Sequence, residues 1–213
     1  MSGALVLLSG GMDSAVCLYR AVVDLGPREV TAVFFDWGQR TLTEERLAAV
    51  ELCAAGGVRA PVVVKLDFPY GGILTEADAE VPRDRTPSEI EAAGVAETFF
   101  PGRNLVMLAY AFGIAAASGL DTVYFGPNAD DASGYPDCRE EFLRAMEGAC
   151  RLGVERRISL AIPLIARSKA DIVREGDSLG VPWESTFSCY APADGRECGR
   201  CDACVLKREA LSR

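Results

Sequence analysis

Cys189, Cys198, Cys201 and Cys204 place four soft thiolates in one short stretch, at Cys-x8-Cys-x2-Cys-x2-Cys spacing. That set suits tetrahedral coordination of Zn2+. Four protein ligands leave no position for an activated water, so such an ion would be structural. Free thiols, disulfides and an iron–sulfur cluster are the competing readings. The remaining cysteines, Cys17, Cys53, Cys138 and Cys150, are scattered.

Near the other end, LLSGGMDSAV (Leu7 to Val16) sets two glycines and an Asp-Ser pair behind an apolar run. Gly10 and Gly11 can bring bare amides to an anion, and Ser9 and Ser14 add hydroxyl donors. The stretch is neither a dinucleotide G-x-G-x-x-G fingerprint nor a Walker A sequence, which ends in Lys-Ser/Thr. Without that lysine it suits the pyrophosphate released when an acceptor attacks an α-phosphate. Asp13 beside a polyanion would be costly unless it helped retain Mg2+ or organised the loop by hydrogen bonds. The chain has no histidine. Proton transfer must therefore use carboxylates, Lys, Tyr, Cys or the substrate itself, and a Ser-His-Asp site is excluded.

These residues need a frame that brings them together. ALVLLSGG reads as a strand entering a Gly turn, and DSAVCLYRAVVDLG as a helix stopped by Gly26 and Pro27. EVTAVFFDWG is a second strand; Thr43 to Ala55 is a helix with Leu47, Val50 and Ala54 on one face, leaving through Gly56-Gly57. APVVVKLDF is a third strand, and this alternation predicts parallel strands with both faces covered by crossover helices. Residues 69–100, rich in Gly, Pro and acids, read as a long loop or lid with at most a short helix near Glu89 to Ala93. Beyond it, NLVMLAYAFGIAAASG, PDCREEFLRAMEGACRLG and SKADIVREGDSLG read as helices, the last taken as the final regular one, and DTVYFG and RISLAIPL as strands. The expectation is an α/β fold: an open, mostly parallel five-stranded sheet over residues 1–186, with a compact zinc module at 187–213.

The signature Ser9, Gly10, Gly11, Asp13, Ser14 resembles the SGGxDS of the PP-loop, or N-type, ATP pyrophosphatase superfamily, which implies a fold of the adenine nucleotide alpha hydrolase-like (HUP) type. The resemblance narrows with FDWGQR (Phe35 to Arg40), PGRN (Pro101 to Asn104), GPNADDASGYPDCREEF (Gly126 to Phe142) and SCY…CGRCDAC (Ser188 to Cys204). Together they resemble the 7-cyano-7-deazaguanine synthase (QueC, preQ0 synthase) family over nearly the whole chain. That family implies ATP-dependent conversion of 7-carboxy-7-deazaguanine and ammonia to 7-cyano-7-deazaguanine, through an adenylated carboxylate and then an amide. It also implies a homodimer, bound ATP and Mg2+, and one structural Zn2+ per chain. The sequence departs from the family at Thr41, where GQRH is common, and at Trp37, where Tyr is common.

Within that resemblance, Arg103 offers phosphate a rigid donor fork or else makes a helix-start salt bridge. Asn104 is an N-cap candidate as much as a ligand contact. Lys169 matches a family lysine and could neutralise the departing pyrophosphate, the alternative being a solvated lysine at a helix start. Asp36 could contact the nucleoside or merely cap its turn. Gln39 and Arg40 could orient substrate or the neighbouring loop. Asn128, Asp130 and Asp131 could accept from the donor edge of a deazapurine on which Tyr135 stacks. Pro136 and Asp137 line the same loop or only start a helix, and Cys138 belongs to the pocket without being an activated thiol. Catalysis is thus expected of Asp13, Arg103 and Lys169.

The 213-residue chain carries 31 acidic against 22 basic side chains, a formal charge of −9. With no dense basic run, broad nucleic-acid binding is disfavoured, which counts against the tRNA-sulfurating branch of the superfamily. No stretch resembles a membrane span or export signal, so the expected location is the cytoplasm. No amidotransferase domain is visible, so free ammonia is the expected nitrogen source. The competing functions are an enzyme that stops at the amide or transfers the activated acid to a protein amine, and a noncatalytic nucleotide-binding module.

Overall fold

The computed structural model describes residues 3–212. Five strands, β1 (Ala4–Leu7), β2 (Val30–Asp36), β3 (Val62–Lys65), β4 (Thr122–Tyr124) and β5 (Ser159–Ala161), form one parallel sheet in the order β3-β2-β1-β4-β5. Ala4 is opposite Val30 on one side and Thr122 on the other, so β1 is central. It is buried throughout. Side chains alternate across a strand. Ala4 and Val6 accordingly enter one core with α1 (Met12–Leu25), α2 (Leu42–Ala55) and α7 (Lys169–Leu179). Leu5 and Leu7 enter the other, with α4 (Arg103–Ser118) and α6 (Glu140–Val154).

Several local features differ from the sequence expectation. The buried face of α2 is Ala48, Ala49, Leu52 and Cys53, whereas Leu47, Val50 and Ala54 are exposed. The cause is close approach: a Cβ built on Gly10 would stand 2.6 Å from the Glu45 carbonyl oxygen and 3.0 Å from Ala48 Cβ, so small residues are needed at Ala48 and Ala49, where α2 meets that loop. The N-cap of α4 is Gly102, in the left-handed region, and Asn104 lies inside the helix. Pro136–Cys138 form a short 3-10 turn, and α6 begins only at Glu140. β3 is an edge strand with Val62 and Val63 exposed, so its faces are not both covered.

Residues 69–100 contain one short helix, α3 (Pro87–Ala92), opened by a capping box in which Thr86 and Glu89 satisfy each other's backbone amides. A four-residue helix, α5 (Asp131–Gly134), follows β4. The chain closes on α8 (Asp202–Leu211), which the sequence reading omitted. Among the described residues no helix is long and apolar enough to cross a membrane.

Candidate functional site

In an open parallel sheet the loops after neighbouring strands separate where the chain reverses its order of winding, and the crevice opens beyond the strands' carboxyl ends. In this order that point lies between β1 and β4. The SGG loop leaves β1 there, and Gly126 leaves β4. Gly10 takes a φ of 87°, which only glycine adopts without strain. Gly126 packs so closely on α1 that a Cβ would stand 3.0 Å from Cys17 Sγ and 3.1 Å from the Asp13 carbonyl oxygen. Ser14 Oγ donates to the Gly11 carbonyl at 2.9 Å and accepts from Ser9 N at 3.2 Å, while Ser9 Oγ lies 3.2 Å from Ser14 Oγ. The loop is thereby fixed as a tight turn directly ahead of a helix N-terminus, the arrangement that binds phosphate.

A charged cluster lies beside it. Lys169 Nζ donates to Asp13 Oδ2 at 2.6 Å; Asn128 Nδ2 reaches the same oxygen at 3.3 Å and Asp131 Oδ2 at 2.7 Å. Burial favours the neutral amine of Lys169, but the Asp13 and Asp131 carboxylates overcome it and hold its pKa above the usual lysine value. Burial pushes Asp131 up to about 6, with Lys169 opposing and Asp13 adding to the shift. Asp13 Oδ1 is buried without a hydrogen-bond partner. Lys169 is therefore no solvated helix-start lysine. Ser168 and Asp171 form the capping box that starts α7 and so aim Lys169 inward.

Arg103 governs the opposite side. Its guanidinium carbon lies 5.1 Å from the centroid of the Trp37 ring, a cation–π arrangement, and its Nε donates to Asn104 Oδ1 at 3.4 Å. The buried Asn104 backbone amide donates to Asp137 Oδ2 at 3.3 Å, and Asp137 Oδ1 is buried without a partner. Burial raises the Asp137 pKa, and nearby Arg103 restrains the rise. Burial, then the Asp131 and Asp137 carboxylates, pushes the Cys138 thiol far up. This environment favours the protonated thiol of Cys138 over the thiolate.

Other expected site residues are held by the protein itself. Gln39 is buried: its Nε2 donates to the Phe35 carbonyl at 3.1 Å and to Glu45 Oε2 at 3.0 Å, while its Oε1 accepts from Trp37 N at 2.9 Å. Arg40 donates to the Ala79 and Ala77 carbonyls at 2.8 and 3.1 Å, tying down residues 69–100. Tyr135 Oη lies 2.7 Å from Thr98 Oγ1 of that segment. The backbone amides of Asp130 and Asp131 donate to Asn128 Oδ1 at 2.9 and 3.2 Å. Asp36 accepts from Gly38 N at 3.3 Å, a turn contact, and also lines a cavity of about 440 Å³ with Trp37, Lys65, Phe68 and Tyr70. Pro136 is half-buried in the turn before Asp137.

Two residues gave no sequence signal. Glu45, within the polar run TEER, accepts from Thr41 Oγ1 at 2.5 Å and from Gln39. Burial raises its pKa against the bonds from Thr41 and Gln39 and the charge of Arg103. Phe187 N donates to the Gly10 carbonyl at 2.8 Å and so joins the C-terminal segment to the phosphate loop.

The four cysteines converge as their spacing predicts. Their sulfurs lie within 4.8 Å of one another, with separations of 3.5 Å for Cys201–Cys204 and 4.0 Å for both Cys198–Cys204 and Cys189–Cys201. A tetrahedral ion with metal–sulfur bonds of about 2.3 Å requires sulfurs about 3.8 Å apart. Backbone amides of Cys198 and Ala191 point at Cys189 Sγ, at 3.2 and 3.3 Å, as donors do toward thiolates. This is a four-cysteine metal-binding cluster.

A family profile described as "Queuosine biosynthesis protein QueC" matches residues 3–213. The chain is 45% identical over 216 residues to the 7-cyano-7-deazaguanine synthase of Anaeromyxobacter sp. (strain Fw109-5), covering 98% of this chain and 91% of that protein. It is 44% identical over 215 residues to the 7-cyano-7-deazaguanine synthase of Myxococcus xanthus (strain DK1622), covering 98% and 92%. Among solved structures, NMN synthetase from Francisella tularensis matches with a TM-score of 0.50 at 17% identity, over 98% of this chain and 75% of that one, a likeness of fold alone.

Proposed function

The chain belongs to the QueC family, and from that premise we propose that it converts 7-carboxy-7-deazaguanine and ammonia to 7-cyano-7-deazaguanine at the cost of two ATP. In the first half-reaction a carboxylate oxygen attacks the α-phosphorus, pyrophosphate leaves, and ammonia displaces AMP to give the amide. In the second, the amide oxygen attacks another α-phosphorus, pyrophosphate leaves again, and loss of AMP and the nitrogen-bound protons leaves the nitrile. The observation that carries the reading is the convergence of the Ser9–Ser14 loop, Lys169 and the Gly126–Cys138 loop on Asp13.

In this reading Ser9, Gly10, Gly11 and Ser14 cradle the phosphates. Lys169 turns from Asp13 toward the departing pyrophosphate, and Arg103 stabilises charge at the α-phosphorus. The orphaned Asp13 Oδ1 fits an ion-linked role, so Asp13 is the residue that would hold Mg2+, which would neutralise phosphate charge. The cavity beside Asp36 and Trp37 takes the nucleoside. Asp130, Asp131 and Asp137 receive the N–H donors of the deazapurine, with Tyr135, Pro136 and Cys138 as walls. Asn128, Gln39 and Arg40 act through the loops they hold. Zn2+ suits the four thiolates and would be structural. The partner in assembly is a second copy of the chain.

Buried Thr41, which bonds Glu45 and stands where the family commonly has histidine, favours a second reading, in which activation ends at the amide or passes to a protein amine. Product masses after incubation with the carboxylated deazapurine, ATP, Mg2+ and ammonium separate these readings. Nitrile with two AMP supports the first, and amide or a protein adduct alone supports the second. Bound ATP without AMP or pyrophosphate release overturns both and leaves a noncatalytic binding module.

A further inference from the structure

The four-cysteine module and residues 69–100, far apart in sequence, meet in one small apolar core that joins Val81 and Ile73 to the cysteines. Among the described residues the ion pairs Arg200–Asp84 and Arg85–Asp202 cross that contact. Arg200–Asp84 is 60% and 55% exposed on its two sides, so solvent screens it. Arg85 is different. Its side chain is 24% exposed and grips Asp202, 13% exposed, through both oxygens, with Nε 3.1 Å from Oδ1. Its remaining nitrogen stands 3.6 Å from Glu97 Oε1, a carboxylate 61% exposed, so this second contact is the weaker, solvent-screened one.

The two partners lead to different places. Asp202 opens α8 and follows the cluster residue Cys201. Glu97 precedes the buried Thr98, whose hydroxyl bonds Tyr135 at 2.7 Å. The planar guanidinium is fixed by its two-pronged contact with Asp202, because its donors have a set geometry, and from there it faces Glu97.

We propose that Arg85 is a positioning residue: holding Asp202 on the metal module and Glu97 ahead of Thr98, it carries the order of the four-cysteine centre to Tyr135 in the loop after β4. The role assigned to that loop rests on the substrate reading above; the mechanical link does not. Hydrogen exchange on the full, metal-loaded chain tests the link without substrate. Arg85→Gln should speed exchange in residues 86–99 and 131–138 about tenfold while β1 and α1 keep their protection. Metal content should stay at the wild-type level. Arg85→Lys, which keeps the charge but loses the two-pronged contact, should give a smaller increase. Chelation of the wild type should reproduce the pattern, and Arg85→Gln should add nothing to the chelated state.

Wild-type exchange in both segments of Arg85→Gln and Arg85→Lys, or an increase shared equally by β1, overturns the proposal. In turnover, Arg85→Gln should raise KM for the carboxylated deazapurine with kcat and KM for ATP little changed. A wild-type protein that turns over no deazapurine defeats the substrate reading, while the exchange result still decides the role of Arg85.

Discussion

On one wall of the site, β1 and α1 bury Val6, Leu8, Ala15, Val16 and Leu18 almost completely, and the phosphate loop hangs from this continuous core. On the other wall, residues 69–100 bury Leu74 and Phe100 in the core around Leu5 and Leu7, but among the described residues they meet the C-terminal segment in a small cluster whose buried members are Val81, Ala191, Cys189, Cys201 and Cys204. Burial stabilises by about 25 cal/mol per Å² of apolar surface, so the first wall holds itself, whereas the contact with the cysteine module adds backbone pairing at Arg83–Cys201, coordination and ion pairs to a small apolar cluster. A site with a rigid wall and a fastened one can keep the phosphate loop constant while the cover adjusts.

The largest effect expected on that contrast is removal of the metal. Chelation or Cys201→Ser should abolish exchange protection in residues 187–211, speed exchange in residues 86–99 and 131–138 as Arg85→Gln does, and leave β1, β2 and α1 protected. Simultaneous loss in both regions would show that the walls are one cooperative unit. Next, Lys169→Met should strand Asp13 as a partly buried charge beside Asp131. We expect pyrophosphate release to fall at least about a hundredfold and stability by about 1–3 kcal/mol, read by turnover and thermal denaturation. If stability falls but turnover does not, Lys169 belongs to the frame alone.

Asp131 sharpens the comparison through pH. Its native pKa of about 6 lies above the ordinary 3.8, so the native state binds this proton more tightly than the unfolded chain. Stability should therefore fall as pH rises from 3.8 through about 6 and level off above it. Asp131→Asn should remove that part of the slope in urea titrations; an unchanged slope would place the titration elsewhere. The smallest effect is expected for Cys138→Ala, which loses one buried sulfur and should cost about 1 kcal/mol with turnover changed less than tenfold. A larger loss of turnover would give the thiol a chemical part.

The elements legible in the sequence were those whose signal is local. The thiolate spacing and the SGG turn announce ligands directly, and the strand and helix periods of β1, β2 and α1 announce a parallel sheet. Glu45, Arg85 and Thr98 were not legible, because each gains its role from a neighbour far along the chain or from burial. The face of α2 was misassigned because Leu47 and Val50 outweigh Ala48 and Ala49 in hydrophobicity. Space overruled hydrophobicity: the first half of α2 meets Gly10, and Ala48 and Ala49 stand where the two backbones come closest. For Gln39 and Arg40 the residue types left substrate and neighbouring loop as alternatives, and the structure shows bonds from both side chains to the protein itself.

The bare outer margin of β3 bears on how the protein behaves when concentrated. A free strand border invites another chain to add to it, the first step toward insoluble assemblies. This border is four residues long. Pro61, which has no amide hydrogen to give, stands immediately before it, and Lys65 sets a charge at its far end. Two exposed valines thus sit between gatekeepers, and replacing Lys65 with an apolar residue should promote precipitation before it disturbs chemistry.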